Sequence, residues 1–478
     1  MANDNMIQIP FIALSIVLPL LGLTCLAYFQ DYLGRRLALV FSGLSVICII
    51  GALYIAIASG TNFVAEQYSY YIPALSVLLN LRLDPISFAL SLMAGIVAFV
   101  ALLSGNTEQE HEKLAGSLIL LFQASAMGLF AAGNLFLFFI FWDVGVVAMF
   151  FMLYMLGSAN RRRAAMKFLL YELLASLFLL LAIMMIYFYT PLHSFDIQYI
   201  IQNSQLIPTG TQLLIFFFLF AAFLINMPVF PVHLWLPDAH TEASTQGSML
   251  LSGALTKFGG YGMILTFFML PMSSQFSVFI AILATFSAFY AAFVLMTVRD
   301  IKRIVAYTTI VEMSIILLAI ASQNGLGIAG ATFGMLAHGF TISLLFLAAG
   351  STGHMFGERD IRVLRGVVKN AFETAYTFLT GVFATTGVPL TAAFIGDVLI
   401  FMGALQAFSL FGIIPLIALL LTGTYLYYVI NKSFLSTKEV TQNINYIGAS
   451  QRAGYLLLIA CIFFFGIAPF IILNLFNV

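Results

Sequence analysis

Charge is scarce in this sequence. Of its 478 residues 8% are charged, 19 basic against 19 acidic, and the net charge is zero. A water-soluble globule needs far more polar surface than that, and a neutral chain lacks the basic footprint of a nucleic-acid binder. Cysteine is nearly absent. Cys25, Cys48 and Cys461 stand apart inside apolar runs, which excludes a disulfide framework and metal-ligand spacing and leaves core packing. No glycine-rich nucleotide loop, zinc spacing or haem signature occurs. The chain therefore offers no redox centre, and no cofactor is expected within it.

Apolar sequence fills the space. The chain is 62% hydrophobic, with a mean hydropathy of +1.06, and runs of 18 or more apolar residues recur along it. That pattern predicts an all-α polytopic membrane protein. Fourteen spans are expected, near 7–29, 37–59, 84–104, 114–132, 135–157, 166–190, 212–242, 248–270, 275–297, 303–322, 328–352, 371–401, 408–432 and 453–476. Spans 7 and 12 are broken by proline. The first run is no signal peptide: it is too long, and MANDNMIQIP before it carries no Lys or Arg.

The few cations are placed unevenly. Seventeen of the 19 Lys and Arg lie in or beside odd-numbered connections, among them Arg35, Arg36, Lys113, Arg161 to Arg163, Lys167, Arg299, Lys302, Arg303, Arg359, Arg362, Arg365, Lys369, Lys432, Lys438 and Arg452. Only Arg82 lies on the other side, and Lys257 lies within a span. The positive-inside rule puts the odd connections on the cytoplasmic side and both termini outside. A multi-pass protein of a prokaryotic cytoplasmic membrane is expected. Glu108 to Lys113 reads as a solvated loop, and Asp84-Pro85 as the start of span 3.

Ionisable groups inside spans are costly and point to function. Asp143 falls about nine residues into span 5, within FFIFWDVGVVAMFFM. It suits a protonated acid bonded to a carbonyl or, more sharply, a proton carrier or charge partner. Lys167 and Glu172 in span 6 suit proton uptake and structural pairing equally. Residues 226–262 break at Pro228 and Pro231, carry His233 and His240, and continue into a span with Lys257 near its middle. Imidazoles beside a helix break can bond freed carbonyls or relay protons near neutral pH. Small residues flank Lys257 and allow close packing. Glu312 in span 10 and His338 in span 11 lie at similar depth. Span 12 breaks at TTGVPLTAAFIGD, with Asp397 just beyond. Two broken spans five apart suggest inverted five-helix repeats, giving four regions: 1–105, 106–270, 271–435 and 436–478. Asp143, Lys257, Glu312 or His338, and Asp397 then form a row at mid-depth.

At these residues the sequence resembles the antiporter-like membrane subunits of respiratory complex I and their relatives in membrane-bound hydrogenases, other complex I-like enzymes and Mrp-type antiporters. The carrying words are FFIFWDVGVVAMFFM, PVFPVHLWLPDAHTEASTQGSMLLSGALTKFGGYG, RDIKRIVAYTTI, MLAHGFTISLLFLAAG and GVPLTAAFIGD. Ending after span 14 with no long lateral helix, the chain resembles the M-type or N-type subunit rather than the L-type. The resemblance implies roles. Asp143 takes the place of a span-5 glutamate that pairs with a lysine, and Lys257 that of the span-8 lysine joining two half-channels. His240 matches a linking histidine, His338 the span-11 histidine, and Asp397 the terminal glutamate. Departures accompany the match. Asn226 stands where the family has a lysine, Ser244 where proline is usual, Glu312 where histidine is common, and two glutamates are shortened to Asp143 and Asp397. Because Asn226 cannot carry a proton, either Lys257 or Lys167 becomes the counter-charge of Asp143, or that half no longer pumps.

The expected function is that of a proton-translocating, antiporter-like subunit of a redox-driven complex. Its partners would be other antiporter-like and small hydrophobic membrane subunits, a peripheral redox arm and the bilayer. Two alternatives remain at this point: an Mrp-type sodium/proton antiporter or hydrogenase subunit, and a non-pumping structural spacer.

Overall fold

The computed structural model describes residues 10–28, 31–58, 64–72, 77–105, 109–436 and 447–476. Glu108 and Lys438 lie outside the described residues. All fourteen anticipated spans are helical, and the protein is an integral, multi-pass membrane protein. Spans 1 to 6 are Phe11–Tyr28, Asp31–Ala58, Pro85–Leu103, Gln109–Phe130, Leu135–Leu156 and Arg161–Tyr189. Span 7 is Thr209–Asn226 followed, after the break, by Trp235–Glu242. Spans 9 to 11 are Ser277–Leu295, Ile301–Ala321 and Gly325–Phe356; span 12 is Phe372–Thr385 then Ala392–Phe408; span 14 is Ala449–Ile467. Among the described residues twelve helices are long and apolar enough to cross a bilayer. Of the other two spans, 8 (245–269) is interrupted by a π-helical segment, Leu251–Leu255, and 13 (416–434) ends in one, Ile430–Phe434.

Span 3 starts where its sequence says it should. Asp84 caps it, accepting from the amides of Ile86 and Ser87 at 3.0 and 2.9 Å, while its own N–H donates to Ser87 Oγ at 2.7 Å. Pro85 supplies a first residue with no amide to satisfy. Ahead of it lies an element that the reading of apolar runs did not anticipate. Strands β1 (Val64–Ile72) and β2 (Val77–Leu83) form an antiparallel hairpin, and Arg82 N donates to Ala131 O at 2.8 Å. The segment VAEQYSYYI is too polar to span but rich in the aromatic and branched residues that suit a strand.

Burial rises towards the centre. The apolar windows of spans 10 and 11 are 94% and 100% buried, against 33% for spans 1 and 2. Span 11 meets the second half of span 12 backbone to backbone. A Cβ at Gly330 would come 2.6 Å from Ile400 N, and one at Gly403 would come 2.5 Å from Gly327 N. Glycine is what permits that approach, and it brings Asp397 against span 11. The breaks in spans 7 and 12 each fall in the fourth member of a five-span group, 4–8 and 9–13. An odd number of spans per group makes the two groups run in opposite senses.

On the basic side a latch joins three connections. Ile301 N donates to Arg359 O and Ile361 N to Arg299 O, both at 3.0 Å, and Arg359 Nη1 reaches Thr241 O at 2.7 Å. Beside it Arg362 grips Asp360 and holds that carboxyl down at about 2. Because this carboxyl is depressed, whatever the pair adds to stability is present above the ordinary Asp range and is lost only as pH falls towards 2.

The glycine contact gives a direct test. Gly403→Val should force spans 11 and 12 apart and lower stability by about 1–3 kcal/mol, read as an earlier thermal unfolding in detergent. Gly325→Ala, where a Cβ meets nothing within 4 Å, should change it by about 0.5 kcal/mol or less.

Candidate functional site

The break in span 7 exposes backbone groups in the membrane, and nearby side chains satisfy them. Trp235 Nε1 donates to Ile225 O at 2.9 Å, and Phe230 N donates to Ser287 Oγ at 3.0 Å. Such substitutes let a helix be interrupted at membrane depth. The π-helical segment of span 8 does the complementary job, because its widened turn opens carbonyls of the helix to other donors. One of them, Ser252 O, receives the Lys257 ammonium.

Lys257 is fully buried. Besides Ser252 O it approaches Thr256 Oγ1 at 3.4 Å and His338 Nδ1 at 2.5 Å. The other ring nitrogen of His338 lies 3.7 Å from Glu312 Oε2. Glu312, His338 and Asp397 then line a cavity of about 20 Å³ together with Ile316 and Gly334, room for about one water molecule. Asp397 also lies against the break of its own span. A Cβ at Gly387, which has φ +65°, would sit 2.8 Å from Asp397 Oδ2. On the other side of Lys257, His240 Nε2 bonds Ser252 Oγ at 2.7 Å, and that hydroxyl bonds Thr309 Oγ1 at 3.1 Å. His240 is buried and stacks on Phe346 with ring centres 4.3 Å apart.

These contacts make one line: His240, Ser252, Lys257, His338, Glu312, the small cavity, Asp397. It begins on the half-helix beyond the break of span 7 and ends on the half-helix beyond the break of span 12. The sequence left Glu312 and His338 as alternatives, whereas both belong to the line, in series. Ser252 and Thr309 were not anticipated, since a hydroxyl in an apolar span carries no signal until its neighbours are known.

Three expected residues lie off the line. Lys167 Nζ is held by Asp238 Oδ2 and Leu234 O, each at 2.7 Å, and Asp238 also meets Arg303 at 3.2 Å. Lys167, Asp238 and Arg303 line a cavity of about 420 Å³ with Asn160, Arg163 and Glu242. His233 is buried between Phe230 and Tyr290, ring centres 5.9 and 5.1 Å away. Asp143 accepts from Ser176 Oγ at 2.5 Å. Among the described residues no lysine or arginine comes within 4.0 Å of it. The expectation that Lys257 or Lys167 replaces its counter-charge is therefore not met: each is committed elsewhere. Asn226, in the lysine's place, donates through Nδ2 to Glu172 Oε2 at 3.2 Å and accepts from Gly259 N at 2.8 Å.

Comparison with known proteins follows the same outline. A family model described as "NADH:quinone oxidoreductase/Mrp antiporter, TM" matches residues 132–424. The chain is 30% identical over 486 residues to NADH-quinone oxidoreductase subunit M of Rickettsia prowazekii, covering 99% of this chain and 98% of that one. It is 30% identical over 484 residues to F(420)H(2) dehydrogenase subunit M of Methanosarcina mazei, covering 98% and 97%. A chain in the structure of respiratory complex I from Thermus thermophilus with bound NADH superposes with a TM-score of 0.88 at 24% identity, covering 98% and 97%. That last likeness is one of fold.

Ser252→Ala removes the hydroxyl joining His240 to Thr309 and leaves a buried imidazole nitrogen unpaired. It should lower stability by about 1–3 kcal/mol, measured by thermal unfolding. Thr308→Ala removes a hydroxyl that bonds only Ile304 O in its own helix and should cost visibly less.

Proposed function

The chain belongs to the NADH:quinone oxidoreductase/Mrp antiporter membrane family, and on that premise we propose that it is the proton-translocating, antiporter-like subunit of a redox-driven membrane complex. The observation that carries this reading is the row of buried titratable side chains between the two snapped helices, in which Lys257 bonds His338 Nδ1, His338 Nε2 stands 3.7 Å from Glu312, and a small cavity separates Glu312 from Asp397. Full-length likeness to subunits named for NADH-quinone and F(420)H(2) dehydrogenases supports a place beside other membrane subunits and a redox arm. Residues 106–270 and 271–435 are then the two transport halves, with 1–105 packed beside them and 436–478 closing the bundle.

His338 is the relay. For Nδ1 to accept from the Lys257 ammonium it must be unprotonated, so the ring proton sits on Nε2 and faces Glu312. When Lys257 gives its proton to Nδ1, the Nε2 proton can leave for Glu312 Oε2. The imidazole stays neutral and changes tautomer, and one proton has moved from ammonium to carboxylate. Water in the small cavity would carry it on to Asp397. In the other direction, Ser252 and His240 suit reloading of Lys257 from the half-helix of span 7. Movement of charge in a neighbouring subunit supplies the drive, because in a dry, low-dielectric interior a displaced charge acts strongly on its neighbours.

In closed membrane vesicles holding the assembled complex, Lys257→Ala and Asp397→Ala should each abolish or sharply lower proton uptake per electron while assembly persists. An unchanged ratio would leave the chain a spacer. Orientation has its own test. Val363→Cys should react with an impermeant thiol reagent from the cytoplasmic face only, and Leu192→Cys from the outer face only. Both positions are exposed.

A further inference from the structure

The half of the molecule with Asn226 in the family lysine's place has an acid in each of spans 5 and 6. Glu172 is fully buried in span 6, and Asp143 is half-buried in span 5. Ser176, one helical turn beyond Glu172 on the same face, donates to Asp143 at 2.5 Å and so brings the two acids to the same place between spans 5 and 6. Among the described residues no lysine, arginine or histidine on the elements around them makes an ion pair or hydrogen bond with either acid: Arg161 to Arg163 lie at the start of span 6 and His233 packs between Phe230 and Tyr290. Lys167 and Asp238 hold each other, Glu242 binds Ser158 Oγ at 2.6 Å, His240 bonds Ser252, and Lys257 turns to His338. Two carboxylates cannot both stay ionised in such a place without a cation. Glu172 is held on one side only: Oε2 takes the Asn226 amide, while Oε1, also buried, has no partner among the described residues.

The orientation of Asn226 narrows what the site holds. Its Oδ1 accepts a backbone N–H, from Gly259, which can only donate. Nδ2 must therefore face Glu172, and the amide offers the acids a donor rather than an oxygen. A metal cation would want the reverse, since sodium-like ions are bound by oxygens.

We propose that Asp143 and Glu172 are a proton-sharing carboxyl pair, which carries the transported proton through the first half in place of an ammonium. With one proton between them the pair keeps a charge of −1. In one state Glu172 is the neutral acid and Asp143 the carboxylate steadied by Ser176. In the other, the Glu172 proton has passed to Asp143, by way of water and the Ser176 hydroxyl, which gives up its own proton as it receives another. Glu172 is then the carboxylate, steadied by Asn226. Each exchange moves negative charge between a dry position and a half-exposed one, and no cation is needed. This rests on the reading of the chain as a proton-translocating subunit.

The test uses the assembled complex in closed vesicles, with two isosteric variants. Glu172→Gln keeps an acceptor for Asn226, and Asp143→Asn keeps one for Ser176, so both should assemble. The expected result is a lower ratio of protons to electrons in each, with electron transfer retained. In infrared difference spectra one buried protonated-carboxyl band should be present in the parent, absent in Glu172→Gln, and absent in Asn226→Lys, where an ammonium would ionise the pair. If the ratio is unchanged in both variants while Lys257→Ala still lowers it, the carboxyl pair is structural and this proposal falls, with the translocation reading intact. If sodium added at constant pH bleaches the carboxyl band, the site holds a metal cation, and the proposal falls on that ground instead.

Discussion

A buried ammonium needs partners that hydrocarbon cannot supply, and satisfying Lys257 dictates much of what surrounds it. Its carbonyl partner comes from the π-helical segment one turn earlier, and its nitrogen partner from His338. Neither is a carboxylate in direct contact, so the charge is only part compensated. The nearest acid is reached through an imidazole. A lysine locked to a carboxylate would be stable and inert. One held by a carbonyl and a ring nitrogen keeps a proton acceptor within bonding distance, and that separates a relay from a strut.

The two halves meet the same demand differently. Where the second packs on span 8 of the first, Lys257, His338 and Glu312 stand in series, closed by a small cavity before Asp397. Around Asp143 and Glu172 no lysine or arginine among the described residues comes within 4.0 Å, and neutral donors from Ser176 and Asn226 hold them. Replacing an ammonium by an amide removes a charge while leaving a hydrogen bond in place, so the helices need not rearrange. The family resemblance alone would suggest a crippled half. The structure contains an acid, Glu172, placed so that this conclusion does not follow.

Much of this was legible beforehand, for physical reasons. Hydrocarbon thickness fixes span length, so apolar runs announced the helices. Cost fixes the rarity of ionisable groups inside them, so Lys257, Glu312, His338 and Asp397 stood out and could be read as a row, though with Asp143 included and with Glu312 and His338 as alternatives. Asp84-Pro85 announced a cap because capping is a local event. What sequence could not carry was partnership. Lys167 looked available to Asp143 until Asp238, 71 positions away, was found bonded to it. Ser252 looked like a small packing residue until a π-helical segment aimed its carbonyl at Lys257. The hairpin of β1 and β2 is too polar to register in a search for apolar runs, and too short to show as a domain.

Span 8 is where the halves touch. Residues two apart on a helix face roughly opposite ways, and here Lys257 turns to span 11 while Gly259 turns to span 7. A Cβ at Gly259 would come 2.7 Å from Phe223 O, and one at Gly260 would come 2.5 Å from Met335 Sδ. Both faces of the helix are therefore packed without slack, and close-packed interiors shift between arrangements rather than yield gradually. The amide of Gly259 ends on Asn226, which ends on Glu172. A short chain of bonds thus joins the wall that carries the ammonium to the acid across it. Salt screens charges buried this deeply far less than exposed ones, so a proton leaving Lys257 alters the field at Glu312 beyond His338. One helix, two residues apart on opposite faces, thus holds both the ammonium of one site and a bond to the acid of the other.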